Sequence, residues 1–91
     1  MSVLNNFIIA SNLIDRCIDG KILIINLKTG NATLISEIGV VFWESIKNGT
    51  SKNSLIKTIL NEYDVDILTL EKDYDEFIKK LLSLGILVEK K

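Results

Sequence analysis

The chain has 91 residues, of which 47% are hydrophobic and 25% are charged, a composition that predicts one compact globular domain. Eleven basic and twelve acidic residues give a formal net charge of −1, so the chain lacks the overall positive field that drives non-specific nucleic-acid binding. One cysteine excludes an intramolecular disulfide and favours a reducing cytoplasm. No apolar run is long enough to predict a membrane span, so we expect no membrane partner.

The first third of the chain has the pattern of β-strands. Residues 12–18 and 21–27 are rich in branched apolar side chains and flank Asp19-Gly20, a pair that favours a two-residue hairpin turn. The second run is apolar on both faces, which predicts a central strand. A turn at Lys28-Thr29-Gly30 then leads to a third strand over residues 31–35. Together they predict a three-stranded antiparallel meander, whereas residues 1–11 stay unassigned and are apolar enough for an extra strand.

The remaining residues have the apolar spacing of helices. Three helices are predicted, over residues 37–47, 51–63 and 70–84. Ser36 is the predicted cap of the first, Thr50 or Ser51 of the second, and Thr69 of the third, which Gly85 ends. Glu71 and Asp73 are placed in the first turn of the third helix. The expected fold class is α+β, with a domain over residues 12–88 and a charged tail over 89–91.

The residues that carry chemistry are few. Histidine is absent and there is one cysteine, so the chain cannot form a metal cluster of the usual nitrogen and sulfur kind. It also has no cysteine–histidine pair, no serine–histidine pair and no thiol redox pair. Cys17 lies among apolar neighbours and is interpreted as a small buried hydrophobe. Trp43 is interpreted as core, and the acids near the start of the third helix as a solvated face. We therefore expect no enzyme, no catalytic residue, no metal and no cofactor.

The two outer strands of the predicted sheet differ in charge. The first has Asp15 and Arg16 at its centre, which discourage pairing with another chain. The third, residues 31–35, contains neither charge nor proline. Strand addition by a partner peptide is one explanation for such an edge. The residues leave open that the strand is too short to be hazardous, or that a loop or a second copy covers it.

Several short features follow one another along the chain. They are Thr33-Leu34 in the third strand, the aromatic pair Phe42-Trp43, the turn Asn48-Gly49-Thr50-Ser51, Tyr63 at a helix end, and the closing Leu84-Gly85-Ile86-Leu87. No single feature is specific. Their order and spacing, over about residues 12–88, resemble the PqqD-like family of RiPP recognition elements, RiPPs being ribosomally made and modified peptides.

The resemblance implies a winged-helix-like domain of three strands followed by three helices that does no chemistry itself. Such a domain binds the leader of a precursor peptide in the cytoplasm and delivers it to a maturation enzyme, a leader peptidase in lasso-peptide systems or a radical-type enzyme in PQQ-type systems. The leader is expected to pair with the third strand and to pack between that strand and the third helix. By position, the implied contact residues are Asn31, Ala32, Thr33, Leu34 and Ile35 in the strand, and Tyr74, Phe77, Ile78 and Leu81 in the helix.

The helical period divides the residues of that groove. Leu70, Tyr74, Phe77 and Leu81 lie on one narrow arc, so most of them are expected in the core. Ile78 and Leu82 lie on its flank and are expected to line the exposed groove. The nearby charges Asp75, Lys79 and Lys80 are interpreted as a solvated rim. The alternative is that they set the charge preference for the leader.

Two other functions remain open at this level. A winged-helix DNA-binding regulator is the alternative because the topology is shared. Its recognition helix should be basic, whereas the second helix offers Lys52 and Lys57 and the third opens with acids. A small adaptor or dimerising module is the third possibility. We expect a monomer or weak dimer, and the residues do not specify which peptide class is matured.

Overall fold

The computed structural model describes residues 7–90. Its elements, in chain order, are β1 Phe7–Ile9, β2 Leu13–Ile18, β3 Lys21–Asn26, β4 Ala32–Ile35, α1 Ile38–Lys47, α2 Lys52–Glu62, α3 Ile67–Ser83 and β5 Leu87–Glu89. Strands β2, β3 and β4 form an antiparallel sheet in that order. The predicted α+β class, with a three-stranded meander followed by three helices, is confirmed, and the winged-helix description stays a prediction.

The two turns of the meander depend on backbone conformations that few residues adopt. Asp19 and Gly20 have φ values of 51° and 76°, as a two-residue turn between right-twisted strands requires. The next turn has Gly30 at φ 79°. The Asn26 side-chain oxygen accepts two backbone N–H groups of that turn, at 2.9 and 3.2 Å, and the Asn12 amide at 2.6 Å. These bonds satisfy the side-chain oxygen of Asn26, which is buried.

The central strand β3 buries one face more completely than the other. Ile22, Ile24 and Asn26 are buried, whereas Leu23 and Ile25 are only partly buried. The apolar side chains on both faces of this strand predicted that both faces would be covered. The difference arises because the helices pack on one face of the sheet, where their apolar side chains form a single core with Ile22 and Ile24.

The start of α1 differs from the prediction. Glu37, not Ser36, occupies the N-cap position, and its side chain makes no capping hydrogen bond. Its φ of 56° and ψ of −132° are rare for any residue other than glycine. The predicted Ser36 cap is wrong because the sharp turn at Glu37 leaves Ser36 one residue too early.

The other two helices are capped by side chains. Ser51 accepts the backbone N–H of Ser54 at 3.2 Å, so of the two predicted caps of α2 the structure selects Ser51. Helix α3 begins at Ile67, where Asp66 accepts the Thr69 N–H at 3.1 Å. The predicted Thr69 cap is therefore wrong, and the two predicted first-turn acids lie beyond the first turn. Helix α3 begins earlier than predicted because the Asp66 carboxylate accepts a hydrogen bond from a backbone N–H of the first turn that has no partner within the helix.

A second, two-stranded sheet joins the ends of the described chain. Strand β1 pairs antiparallel with β5, with Ile8 opposite Val88. Gly85, at φ 75°, follows α3 and turns the chain into β5. Strand β1 lies in the N-terminal segment for which no structure was predicted, and β5 extends to Glu89 of the predicted charged tail. Residues 1–6 and 91 of those terminal segments lie outside the described residues.

Candidate functional site

One edge of the main sheet, along β4, has no strand partner within residues 7–90. The Asn26 N–H donates to the Asn31 carbonyl at 2.8 Å, and Thr33 lies opposite Ile24. Since antiparallel pairs alternate, Thr33 directs its backbone groups towards β3, whereas Ala32 and Leu34 direct theirs away from it. The strand therefore presents two N–H and two C=O groups at an open edge, where the Leu34 side chain is 54% exposed.

A cavity of about 330 Å³ lies beside this edge, between the end of β4, the start of α1 and the middle of α3. Its lining residues are Leu34, Ile35, Ser36, Ile38, Gly39, Phe42, Asp73, Glu76, Phe77 and Lys80. Apolar side chains from all three elements contribute to it, and α3 adds two acids and one lysine. The arrangement suits an extended peptide that pairs with β4 and turns apolar side chains inward.

Three aromatic rings support this cavity. The Phe42 ring centroid lies 5.3 Å from that of Tyr74 in an edge-to-face arrangement and 5.4 Å from that of Phe77. Gly39 permits this packing, because a Cβ there would lie 2.8 Å from the Cγ2 atom of Ile35 and 3.3 Å from the Phe77 ring. The glycine inside α1 thus lets the helix approach both walls of the cavity.

The predicted helix residues occupy different depths. Phe77 is partly buried and lines the cavity. Tyr74, Ile78 and Leu81 are buried in the core and do not line it. The expectation that Ile78 lines an exposed groove is wrong, since its side chain is 0% exposed. Helix α3 packs against both α2 and β5, which leaves a narrower exposed stripe than the helical period alone suggests.

Helix α1 is anchored to the sheet by a carboxylate. Asp15 Oδ2 accepts Trp43 Nε1–H at 3.1 Å and the Lys47 ammonium at 2.7 Å. The Lys47 hydrogen bond, followed by that of Trp43, holds the pKa of Asp15 below its usual 3.8. The same bond raises the pKa of Lys47. Trp43 is buried as expected. Asp15 therefore binds α1 in addition to placing a charge on the edge strand β2.

A second ion pair joins α2 to α3. The Lys52 ammonium lies 3.0 Å from Asp75 and 5.7 Å from the centroid of the Tyr74 ring. Burial raises the pKa of the Tyr74 hydroxyl, with a smaller contribution from the charge of Asp75. Of the charges suggested for the rim, Asp75 is therefore already engaged with Lys52.

Cys17 is exposed, contrary to its predicted burial. Its side chain lies on the same face of β2 as Leu13 and Asp15, which are partly buried, so the exposure of this face increases along the strand towards the turn at Asp19-Gly20. Within residues 7–90, no group of three histidine, cysteine or carboxylate side chains is placed to hold a metal ion. No helix in that range is sufficiently long and apolar to cross a membrane.

Comparison with protein families gives a match over most of the chain. The model of the family described as "Coenzyme PQQ synthesis protein D (PqqD)" matches residues 21–87. The chain belongs to the PqqD family. This result confirms the resemblance found in the sequence, and the matched span contains β3, β4 and all three helices of the PqqD-family fold. No curated protein matched the chain.

Two solved structures are similar to this PqqD-family chain. One, described as TbiB1 in complex with the TbiA(beta) leader peptide, is 25% identical, with a TM-score of 0.82, and covers 88% of this chain and 93% of its own. The other, a lasso peptide synthetase B1 complexed with the leader peptide, has a TM-score of 0.84 and covers 91% of this chain and 98% of its own. It is 14% identical, so that likeness concerns the fold alone.

Several lining residues were not predicted from the sequence. Ser36, Ile38 and Gly39 border the cavity because α1 starts immediately after β4. That closeness in sequence was an available signal, since a helix separated from an edge strand by only two residues must start beside it. Asp73 and Glu76 were visible as acids of α3, but their position on the cavity depends on the packing of α3 in the PqqD-family fold.

Proposed function

We propose that this protein is a non-catalytic RiPP recognition element. It binds the leader segment of a ribosomally made precursor peptide by strand addition to β4, with packing against α3, and delivers the precursor to a maturation enzyme. The protein acts in the cytoplasm as a monomer or weak dimer, and uses no cofactor. The observation that carries the proposal is the open edge at Ala32 and Leu34 beside a cavity with apolar walls.

The geometry matches the requirements of this kind of recognition. Outward N–H and C=O groups bind an extended peptide through its main chain, which demands little of its sequence. Apolar side chains at Ile35, Phe42 and Phe77 then select among peptides by what enters the cavity. Asn31, Thr33 and Ile35 pair with β3 and so determine the register of β4. Tyr74, Ile78 and Leu81 are buried in the core and hold α3 in place beside the groove.

The similarity to TbiB1 supports the same conclusion. That protein, 25% identical to this chain, was solved with the TbiA(beta) leader peptide. An affinity in the nanomolar to micromolar range, roughly −12 to −8 kcal/mol, would permit both capture and release.

Fluorescence anisotropy tests the proposal directly. The probe is a labelled synthetic peptide covering the leader of the precursor gene adjacent to the gene of this protein. We expect saturable binding, and a scrambled peptide of the same composition should not bind. The absence of saturable binding at tens of micromolar, a concentration well above the proposed dissociation constants, would refute the proposal for this partner.

Proline substitution tests the role of the β4 edge. Leu34→Pro removes an outward N–H but leaves the hydrogen bonds to β3, because proline is tolerated on an edge strand with its missing N–H outward. We expect it to weaken leader binding at least tenfold, whereas Leu34→Ala, which keeps the N–H, should have a smaller effect. Thr33→Pro is less informative, since it also removes a bond to β3 and destabilises the sheet. Equal losses for the two Leu34 variants would show that the outward N–H does not contribute.

A further inference from the structure

A second cavity, of about 450 Å³, lies next to the first at the start of α3. Val41 of α1, Tyr63 and Val65 of the segment after α2, and Leu70 of α3 form its apolar wall. Ile38 and Asp73 line both cavities. The two are therefore neighbours on one continuous surface that begins at the open edge of β4.

The apolar wall of this second cavity reaches the protein surface. Tyr63 is 46% exposed and Val65 is 42% exposed, although both are large apolar side chains in a segment without helical structure. The cavity volume falls in the range of small-molecule and side-chain binding sites, about 300–1,000 Å³. Filling it would remove apolar surface from water, which is the main source of favourable binding energy for such a site.

Two acids stand at the rim of the same cavity. Glu37 and Asp73 both line it, and neither takes part in the two ion pairs found within residues 7–90. Among residues 7–90, no basic residue lines it. A ligand with a positive charge beside an apolar group is therefore complementary to this cavity, and one with a negative charge there is disfavoured.

We propose that this second cavity is an anchor site for the same leader peptide, an inference that rests on the proposed function. A peptide paired with β4 that continues past Ile35 runs towards Glu37 and Ile38, where the second cavity begins. There it inserts one large apolar side chain against Val41, Val65 and Leu70. A lysine or arginine close to that side chain in the peptide pairs with Glu37 and Asp73. The leader is thus selected by a strand segment followed by an apolar anchor with an adjacent basic residue.

Val65→Ser tests the apolar anchor, with Leu68→Ser as the matched control. Both side chains are exposed and apolar, but Leu68, 74% exposed, does not line the cavity. We expect Val65→Ser to weaken binding of the labelled leader about tenfold, which corresponds to roughly 1.4 kcal/mol, and Leu68→Ser to leave it unchanged. Urea unfolding of both variants establishes that each is folded.

The identity of the anchor comes from combining the protein variants with leader peptides changed to alanine one position at a time. Alanine at one apolar leader position should weaken binding to the wild-type protein. The same alanine peptide should bind Val65→Ser only slightly more weakly than the unchanged leader binds it, because both changes remove the same contact. Glu37→Lys should weaken binding of the unchanged leader, and replacement of the adjacent basic residue by glutamate should restore it. Glu44→Lys, on an exposed position of α1, is the charge control.

The outcomes separate this inference from the proposed function. Leader binding could be weakened by Leu34→Pro but unchanged by Val65→Ser and Glu37→Lys. That result would overturn the anchor site and leave the recognition function standing. Equal losses for Val65→Ser and Leu68→Ser would also overturn it. A leader that fails to bind the wild-type protein refutes the recognition function for this partner, and the anchor site with it.

Discussion

Individual side chains of this protein hold the helix layer to the sheet at a few well-defined points. Asp15 is one of them, since a single carboxylate oxygen accepts hydrogen bonds from both Trp43 and Lys47 of α1. Gly39 is another, because its missing side chain permits close contact of α1 with Ile35 and Phe77. Both residues lie outside the open edge of β4 but determine where its neighbouring helix stands.

Asp15→Asn should destabilise the fold by about 1–2 kcal/mol at neutral pH, because a charged hydrogen-bond acceptor is lost from a site that solvent partly screens. The folded-state pKa of Asp15 is lowered from 3.8, so its contribution is fully present above that value and is lost as pH falls through the lowered pKa. Urea unfolding at neutral and strongly acidic pH measures this. The gap between wild type and variant should close in acid, and Glu44→Gln should show no comparable effect. A gap that is independent of pH would contradict the assigned role.

Gly39→Ala should destabilise the protein by roughly 1–3 kcal/mol, because the new Cβ overpacks the buried Ile35 side chain. Glycine to alanine normally stabilises a helix interior by about 1 kcal/mol, so the expected sign is opposite to that of helix propensity. Asn61→Ala at an exposed position of α2 provides the control and should be neutral or stabilising. Thermal unfolding of the two variants compares them, and a stabilised Gly39→Ala would show that the contact is not tight.

At the scale of elements, the start of α3 determines which residues border the second cavity. Asp66 caps the helix, and Thr69 lies in the first turn with its N–H bonded to the Asp66 carboxylate. The sequence contains two acceptable cap residues within four positions, and the spacing of the apolar side chains does not distinguish them. The choice depends on how the connection from α2 reaches the core.

Asp66→Ala should cost about 0.5–2 kcal/mol, the usual effect of removing a side-chain cap. Thr69→Ala should cost much less, since alanine is a better helix former than threonine inside the first turn. Chemical denaturation of both variants distinguishes the structure from the sequence-based prediction, which placed the cap at Thr69. A larger loss for Thr69→Ala would favour the later helix start.

Local signals in the sequence were sufficient for the main elements of the fold. Asp19-Gly20 predicted its hairpin because two adjacent residues must adopt positive φ, and few pairs do so readily. The pairing of β1 with β5 was not predictable, since each strand has three residues and the two are separated by nearly the whole chain. The depth of Ile78 was misjudged for a related reason: β5, which packs against α3, was not recognised as a strand.

For the candidate site, the sequence indicated the open edge but not its geometry. The absence of charge in residues 31–35 was sufficient to single out β4. Which of its N–H groups point outward depends on the register with β3, which the turn at Gly30 determines. The second cavity had no signal in the sequence, because its wall combines α1, α3 and the segment after α2.

For the whole molecule, the distribution of charge bears on the DNA-binding alternative. Lys52, one of two lysines considered for a recognition helix, is paired with Asp75. With a net charge of −1, the chain should bind duplex DNA weakly or not at all at physiological salt. Electrophoretic mobility shift over a salt series measures this. Strong binding that falls steeply with salt would favour the winged-helix regulator instead.

The most direct test of leader docking on β4 is amide hydrogen exchange measured by NMR with and without saturating leader peptide. The Ala32 and Leu34 N–H groups point away from β3, so in the free protein they should exchange rapidly, and a bound strand should slow them at least tenfold. Thr33, already directed at β3, should be protected before the peptide is added. If the leader binds while exchange at Ala32 and Leu34 stays unchanged, strand addition to β4 is contradicted.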